Sequence, residues 1–419
     1  MTLPFETNLG NADLIPSQGG PPHALFAAWR DKDPVHWNPA PENYHIPQPG
    51  SGLTQGFWVL TRYQDVYDAS RDQDLFSSHM AGPTIWDQDA EGVVRNQAGM
   101  MGMAREQHVQ LKRLVMPPFA NKALAAFEPE IARAAREIVG AVASQGACEF
   151  VFDVASKLPV YTFCSLMGIP QEDRDLIFTL GNATADVENE TAAGMEPVMQ
   201  LFGYAFQLAE AKRAAPDHSM MSTLVNGEVD GEKLTPPQIG MFFVTMSIAG
   251  HETTRSTAAH FIRLMNEHPD QYALIRGDPE RYLPNAIEEV LRVSPPVIQF
   301  RRTVTRDTEI GGQAVKAGDK IYLSYPAANR DPSVFPDPDR FDVTRENAAR
   351  HLSFGTGPHV CIGARLARIQ LKLLLTEIIT RIPDIQMSQA PEYLRTIWFN
   401  AIINMPVRFT PTASSSRTP

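Results

Sequence analysis

The chain has 419 residues, 43% hydrophobic and 20% charged, with a net charge of −11. That composition supports a large buried core and opposes nucleic acid as the main partner, because phosphate binding needs clustered Lys and Arg. Three cysteines, Cys148, Cys164 and Cys361, include no C-x-x-C pair, which argues against a zinc ribbon, a redox dithiol or a disulfide framework and favours a reducing compartment.

The N-terminus, MTLPFETNLG, lacks the charged and apolar regions of a secretory leader. The first 55 residues are rich in Pro and Gly, with ALFAAWR (24–30) as a short helix. FWVLTRYQDVYDAS (57–70) reads as a strand running into a helix, and 80–104 as irregular, with the Met-rich piece GMMGM. Helical spacing dominates from His108 to about Arg213, until Pro216 and GEVDGEKLTPP interrupt it. A long apolar helix follows over 239–268, then a helix over 284–294 stopped by Pro295 and Pro296. Residues 302–325 are β-branched and punctuated by turns, as in short strands, and 364–382 is again helical. The tail TASSSRTP reads as disordered. No apolar run reaches the roughly 18 residues of a membrane span, so a cytoplasmic protein with no membrane anchor is expected. There is no internal repeat and no strand–helix alternation, and the chain reads as mainly α with a minor β region. Length alone suggests two or three domains.

One stretch carries unusual chemistry: FGTGPHVCIG, Phe354 to Gly363. Gly355, Gly357 and Gly363 permit tight turns and close approach of a flat ligand. Cys361 precedes a helix, whose N–H groups and dipole favour a thiolate, and so a lowered pKa is expected. Such a cysteine can be a nucleophile or a metal ligand, or merely a small buried hydrophobe, and the loop alone leaves these open.

The pattern F-G-x-G-x-H-x-C-x-G resembles the haem-binding signature of the cytochrome P-450 family. The resemblance implies haem b with the Cys361 thiolate as axial iron ligand, His359 bonded to a haem propionate and Phe354 packed beside the cysteine. AGHETT (249–254) is similar to the family's oxygen-activation segment, A/G-G-x-D/E-T. Ala249 and Gly250 lack bulk, and Thr253 can bond back to the carbonyl of Ala249, which opens a groove for O2. Glu252 and Thr253 would then be the catalytic proton donors. Read in isolation, the same stretch would be a surface Glu and a core-edge Thr. E-V-L-R places Glu289 and Arg292 on one helix face. It matches the family's E-x-x-R, with Arg340 of PDPDRFD as the third member of that structural network. Arg302 and His108 match propionate donors, and Lys112 or its neighbour Arg113 stands where the family usually has Arg. These motifs imply one mostly helical, triangular domain over 1–410, with 411–419 as tail.

The chain shows no flavin, nicotinamide or iron–sulfur fingerprint, so the resemblance implies NAD(P)H electrons arriving through a reductase and a separate ferredoxin. Arg350, Arg365, Arg368 and Lys372 surround the cysteine with no Asp or Glu between 347 and 376, and form the expected docking face. The expected substrate pocket takes Ile85, Trp86, Met100, Met101 and Met103 from the 80–103 stretch. Val244 and Ile248 come from the long helix, Val297, Ile298 and Phe300 from the segment after E-x-x-R, and Trp398 and Phe399 from a C-terminal turn. The wall is apolar, which favours a hydrophobic substrate. STLVNGEVDGEKLT, IAGHETTR and FNAIINMPVRF resemble the bacterial subgroup that hydroxylates sterol side chains, terpenoids and methyl-branched lipids. A natural-product tailoring enzyme performing epoxidation or aromatic coupling is the alternative. A non-catalytic haem sensor would not need Glu252 and Thr253, and in a Cys–His hydrolase the base normally comes from elsewhere in the fold.

Overall fold

The computed structural model describes residues 3–41, 51–184 and 195–412. Most of the tail, together with residues 42–50 and 185–194, lies outside the described residues. The helices that position the site are α1 (Tyr63–Arg71), α2 (Ala90–Ala98), α3 (Arg105–Val115), α4 (Asn121–Ala143), α5 (Lys157–Met167), α6 (Arg174–Thr184), α7 (Met195–Ala214), α8 (Pro236–Glu267), α9 (Pro279–Val293) and α10 (Ala364–Arg381). The expected content, mainly α with a minor β region, is what the chain adopts.

The longest helix, α8, starts one turn before its apolar run. Thr235 and Gln238 form a capping box, and Pro236 takes the first position, where no intrahelical N–H bond is needed. Buried residues occur all around its second half, as in a helix enclosed by others. It packs against α5, α7, α9 and α10, and α10 packs in turn against α4. The stretch expected to be irregular contains α2, because Asp89 caps it by accepting the Gly92 N–H at 2.7 Å. Gly92 and the short length hid this helix from periodicity.

The main sheet holds β1 (Val35–Asn38), β2 (Phe57–Leu60), β3 (Phe76–Ser77), β4 (Gln299–Val304) and β5 (Lys320–Ser324), in the order β1-β2-β5-β4-β3. Within it β2 and β5 are parallel and the other pairs antiparallel. The register sets Arg302 opposite Ile321 and Arg301 opposite Tyr322. A helical core built on α3 to α10 adjoins two smaller cores on the sheet, and Ile248 of α8 packs against both the helical core and one of these.

Candidate active site

Cys361 ends the glycine loop immediately before α10. Its N–H donates to the Phe354 carbonyl at 2.8 Å, which folds the loop back on itself. Gly355 and Gly357 have φ of 67° and 71°, values that an L side chain adopts with strain. At Gly357 a Cβ would also lie 3.0 Å from Arg71 Cα, at the end of α1. Lys112 of α3 clamps the other side, its Nζ donating to the carbonyls of Pro358 at 2.7 Å and Val360 at 3.3 Å. Arg113 is exposed and turns away, so Lys112 is the member of this pair at the site.

Cys361 is open at its own surface yet largely enclosed by the protein around it, so it faces an internal space. Burial pushes its thiol pKa up, against the N–H groups of Gly363 and Ala364 and the charges of Lys112 and Arg368, which lower it. The expected lowering by the helix end is therefore present but outweighed by desolvation. A metal ion would reverse the balance, since a coordinating thiol loses its proton outright.

Three cations or donors gather beside Lys112. Arg302 is 4% exposed, donates to the Arg301 carbonyl at 2.8 Å and has no carboxylate partner among the described residues. The rings of His108 and His359 lie 4.3 Å apart, and His108 Nδ1 is buried without a partner among the described residues. His359 Nε2 is 3.1 Å from Ser78 Oγ, a contact with no signal in the sequence. Burial first, then Lys112, pushes His108 down to about 4. Burial first, then Arg302, His108 and Lys112, pushes His359 down to about 2. Two cations, Lys112 and Arg302, beside two neutral imidazoles with no acid among them fit an anionic group such as a pair of propionates.

On α8, Thr253 Oγ1 donates to the Ala249 carbonyl at 2.7 Å, as its spacing implied. Ala249 is exposed in the middle of an otherwise enclosed helix, and a Cβ on Gly250 would meet nothing within 4 Å. The same is true of Gly363. Small residues thus leave room beside both α8 and the cysteine loop, which suits a flat macrocycle. Glu252 differs from expectation. It is 2% exposed, ion-paired with Arg255, and accepts from Ser256 Oγ at 2.7 Å. Arg255 also donates to Asn182 Oδ1 of α6 at 3.1 Å. Adjacent helical residues point about 100° apart, so Thr253 reaches the groove while Glu252 is held in a closed network.

Glu289 and Arg292 are fully buried and doubly bonded, at 2.7 and 2.8 Å. The third side chain is Arg345, not Arg340. Arg345 Nε sits 3.1 Å from Glu289 Oε1, whereas the Arg340 side chain is 65% exposed beside Asp342. Arg340 contributes its carbonyl, which accepts from Arg292 and Arg345. The left-handed backbone at Asp337, φ 47°, turns the chain so that carbonyls face inward there.

Phe354 lies under the Arg368 guanidinium, 4.4 Å from ring centre to Cζ. Arg368 is held bidentately by Glu288 at 2.6 and 2.7 Å, and His351 bonds the same carboxylate at 3.2 Å. Arg368 therefore supports the loop and is not a free docking charge, while Arg350, Arg365 and Lys372 are exposed. Of the pocket residues, Ile85, Ile298 and Met103 are almost completely buried in core clusters and do not line an open space. Val244, Val297 and Phe399 keep a small exposure and Trp86 a little, while Met100, Met101, Ile248, Phe300 and Trp398 are half-buried. Phe300, Trp398, Phe399 and Trp86 form one aromatic wall, with Trp398 at 6.1, 4.7 and 5.7 Å from the other three.

No helix among the described residues is long and apolar enough to cross a membrane. A family model for cytochrome P-450 matches residues 193–382. The steroid C26-monooxygenase of Mycolicibacterium smegmatis is 34% identical, over 93% of this chain and 91% of that protein. The methyl-branched lipid omega-hydroxylase of Mycobacterium tuberculosis is 33% identical, over 97% and 95%. A solved Mycobacterium marinum cytochrome P-450 in complex with pseudoionone superposes with a TM-score of 0.86 at 33% identity, covering 94% of this chain and 95% of that one. The helical fold with its small sheets is shared with these relatives, haem and O2 are the family's cofactor and co-substrate, and the chain belongs to the cytochrome P-450 family of monooxygenases.

Proposed function

We propose that this monooxygenase hydroxylates the terminal carbon of a bulky or branched hydrophobic chain, such as a steroid side chain or a methyl-branched lipid. The observation that carries this reading is the wall of Ile248, Phe300, Trp398 and Phe399, which adjoins Ala249 and contains no charged side chain. An apolar wall of this kind selects apolar chains and leaves polar tailoring substrates unmatched. The two relatives point the same way, since one acts at steroid C26 and the other at the omega end of a methyl-branched lipid. Residues 1–410 act as one haem-binding domain in this reading, in a cytoplasmic setting with diffusible electron donors.

Haem, when bound, supplies the activation of O2. The chain's own residues hold and supply the rest. Cys361, deprotonated, would hold the iron, and Lys112 fixes the loop that presents it. Arg302, His108 and His359 would hold the propionates, and the Ala249–Gly250 surface would allow close approach. Thr253 holds a hydroxyl proton at Oγ1 beside the groove. Glu252, next to Thr253 in the chain and paired with Arg255, would have to leave that pair to pass a proton on. Overall, one oxygen atom of O2 enters the C–H bond and the other leaves as water, with two protons and with two electrons from NAD(P)H through a reductase and ferredoxin.

The test is a reconstituted turnover with cholesterol, a methyl-branched fatty acid, pseudoionone and an aromatic polyketide, alongside the reduced CO spectrum. Expected are a thiolate-type Soret band and terminal hydroxylation of the branched chains, with Thr253→Ala keeping binding but wasting most of the oxygen consumed. Turnover of the polyketide alone would favour the tailoring alternative, and full coupling in Thr253→Ala would reject its role. We also propose that the ferredoxin docks on Arg350, Arg365 and Lys372. Arg365→Glu with Lys372→Glu should slow ferredoxin-driven reduction, with a rate that falls in salt for the parent. Equal rates across a salt series would remove this face from consideration.

A further inference from the structure

Adjacent residues of a strand point to opposite faces of a sheet. On β4 this separates Arg302, which joins the propionate-binding cluster, from Arg301, which does not. Arg301 is 4% exposed. Its Nη1 donates to the Trp86 carbonyl at 3.1 Å and lies 3.9 Å from Asp87 Oδ1, and its backbone N–H donates to the Pro83 carbonyl at 2.7 Å. From β5, Lys320 meets the same carboxylate, with Nζ 2.7 Å from Oδ1 and only 1% exposure. The other oxygen of Asp87 accepts from the N–H groups of Thr54 and Gln55 at 2.8 and 3.1 Å, and from Thr54 Oγ1 at 3.1 Å. Burial outweighs the carboxylate at both cations, pushing Lys320 down to about 8 and Arg301 to about 10.

Two buried cations around one carboxylate are a poor way to gain stability, because desolvation offsets much of their attraction. What they supply is direction. Every one of these bonds ends on the segment 83–87 or on the 54–55 turn beside it. The segment carries Trp86, whose ring meets Trp398 edge-on at 5.7 Å, and Trp398 meets Phe300 at 6.1 Å. A shift of the segment would therefore move Trp86 against Trp398 and change the shape of the aromatic wall.

We propose that Arg301, Lys320 and Asp87 form a clasp that sets the position of Trp86 in the wall of the substrate site, acting as positioning residues that decide which carbon is presented for oxidation. The proposal rests on the reading of that wall as the substrate site. Arg302 bonds only the main-chain carbonyl of Arg301, at 2.8 Å, which a side-chain substitution keeps, so the clasp can be altered with the cysteine loop intact.

The experiment compares holoenzyme with Lys320→Met, Arg301→Gln and Lys320→Arg. Amide hydrogen exchange at 83–88 needs no substrate and reads the clasp directly. It should accelerate about tenfold or more in Lys320→Met and Arg301→Gln, with α8 unchanged, since local opening sets the exchange rate. Pseudoionone and cholesterol should then bind more weakly and give an altered ratio of hydroxylated products, with an unchanged reduced CO spectrum. Lys320→Arg should restore both. Parental exchange in the two disrupted variants would overturn the clasp, and Arg301→Gln decides this if Lys320→Met does not fold. Faster exchange with parental affinity and product ratio would overturn the positioning role. Should the parent bind none of these compounds, the reading of the wall as substrate site fails, while the exchange arm still accepts or rejects the clasp.

Discussion

Arg340 and Arg345 differ in what their side chains do, and one comparison separates them. Arg345 is nearly buried and reaches Glu289, while its two terminal nitrogens also take the carbonyls of Pro336, Asp337 and Arg340 at 2.6 to 3.0 Å. Removing one partner of a buried ion pair costs about 3–5 kcal/mol. Arg345→Ala is expected at the lower end of that range, since Arg292 still holds Glu289. Arg340→Ala removes an exposed side chain and keeps its carbonyl, so a change within about 0.5 kcal/mol is expected. Urea denaturation of the two variants checks this, and equal losses would reject the assignment. Motif spacing pointed to Arg340, because a spacing specifies a position in the chain and not the direction of a side chain. The same limit applied to Glu252, whose partner Arg255 was visible three residues on. It applied also to Ile85, Ile298 and Met103, whose apolar character is equally that of core. By contrast, Thr253 bonds Ala249 as read, because an i to i−4 hydroxyl bond is fixed by helix geometry alone.

At the scale of elements, the cysteine loop is positioned by its neighbours as much as by its own glycines. The end of α1 leaves no room at Gly357, since a Cβ there would approach Arg71 Cα and Cγ at 3.0 Å and the Ser70 carbonyl at 3.1 Å. Its φ of 71° adds backbone strain for any other residue. Gly357→Ala is therefore expected to cost about 1–3 kcal/mol and to shift the loop that presents Cys361. The measurement is haem loss to apomyoglobin, which should be faster in the variant. Gly363→Ala is the contrasting case, with ordinary backbone and open space at its Cβ, and should keep the protein's urea stability while hindering haem binding. Similar stability losses in the two variants would contradict the contact with α1. The long helices were legible because their apolar periodicity runs for many turns. Helix α2 was not, because nine residues with an internal glycine give too few turns to show a period.

For the whole molecule, the acid response follows from histidines buried in α8. His260 is 1% exposed, with Nε2 2.9 Å from the Asn400 carbonyl and Nδ1 accepting from Arg263 Nε at 3.3 Å. Burial first and then Arg263 push it down to about 3. His251 is pushed down to about 3 as well, by burial and then Arg255. The unfolded chain protonates these rings near 6.5, so between about 3 and 6.5 it binds more protons than the folded chain. Stability therefore rises with pH across that window, is complete above it, and is lost as pH falls through it. Glu288 acts in the same sense lower down. Burial raises its pKa, but Arg368 and His351 more than offset this and hold the carboxyl at about 2, so its contribution fades as pH falls from 4.5 toward 2. The midpoint of thermal unfolding should fall steadily from pH 7 to 4. His260→Gln keeps a donor for Asn400 and cannot be protonated, so it should be less stable than the parent at pH 7 and lose less on acidification. The slope of unfolding free energy against pH should drop by up to about one proton. Parallel slopes for parent and variant would show that His260 does not titrate on unfolding and would leave the acid response to His251, His108, His359 and the carboxylates.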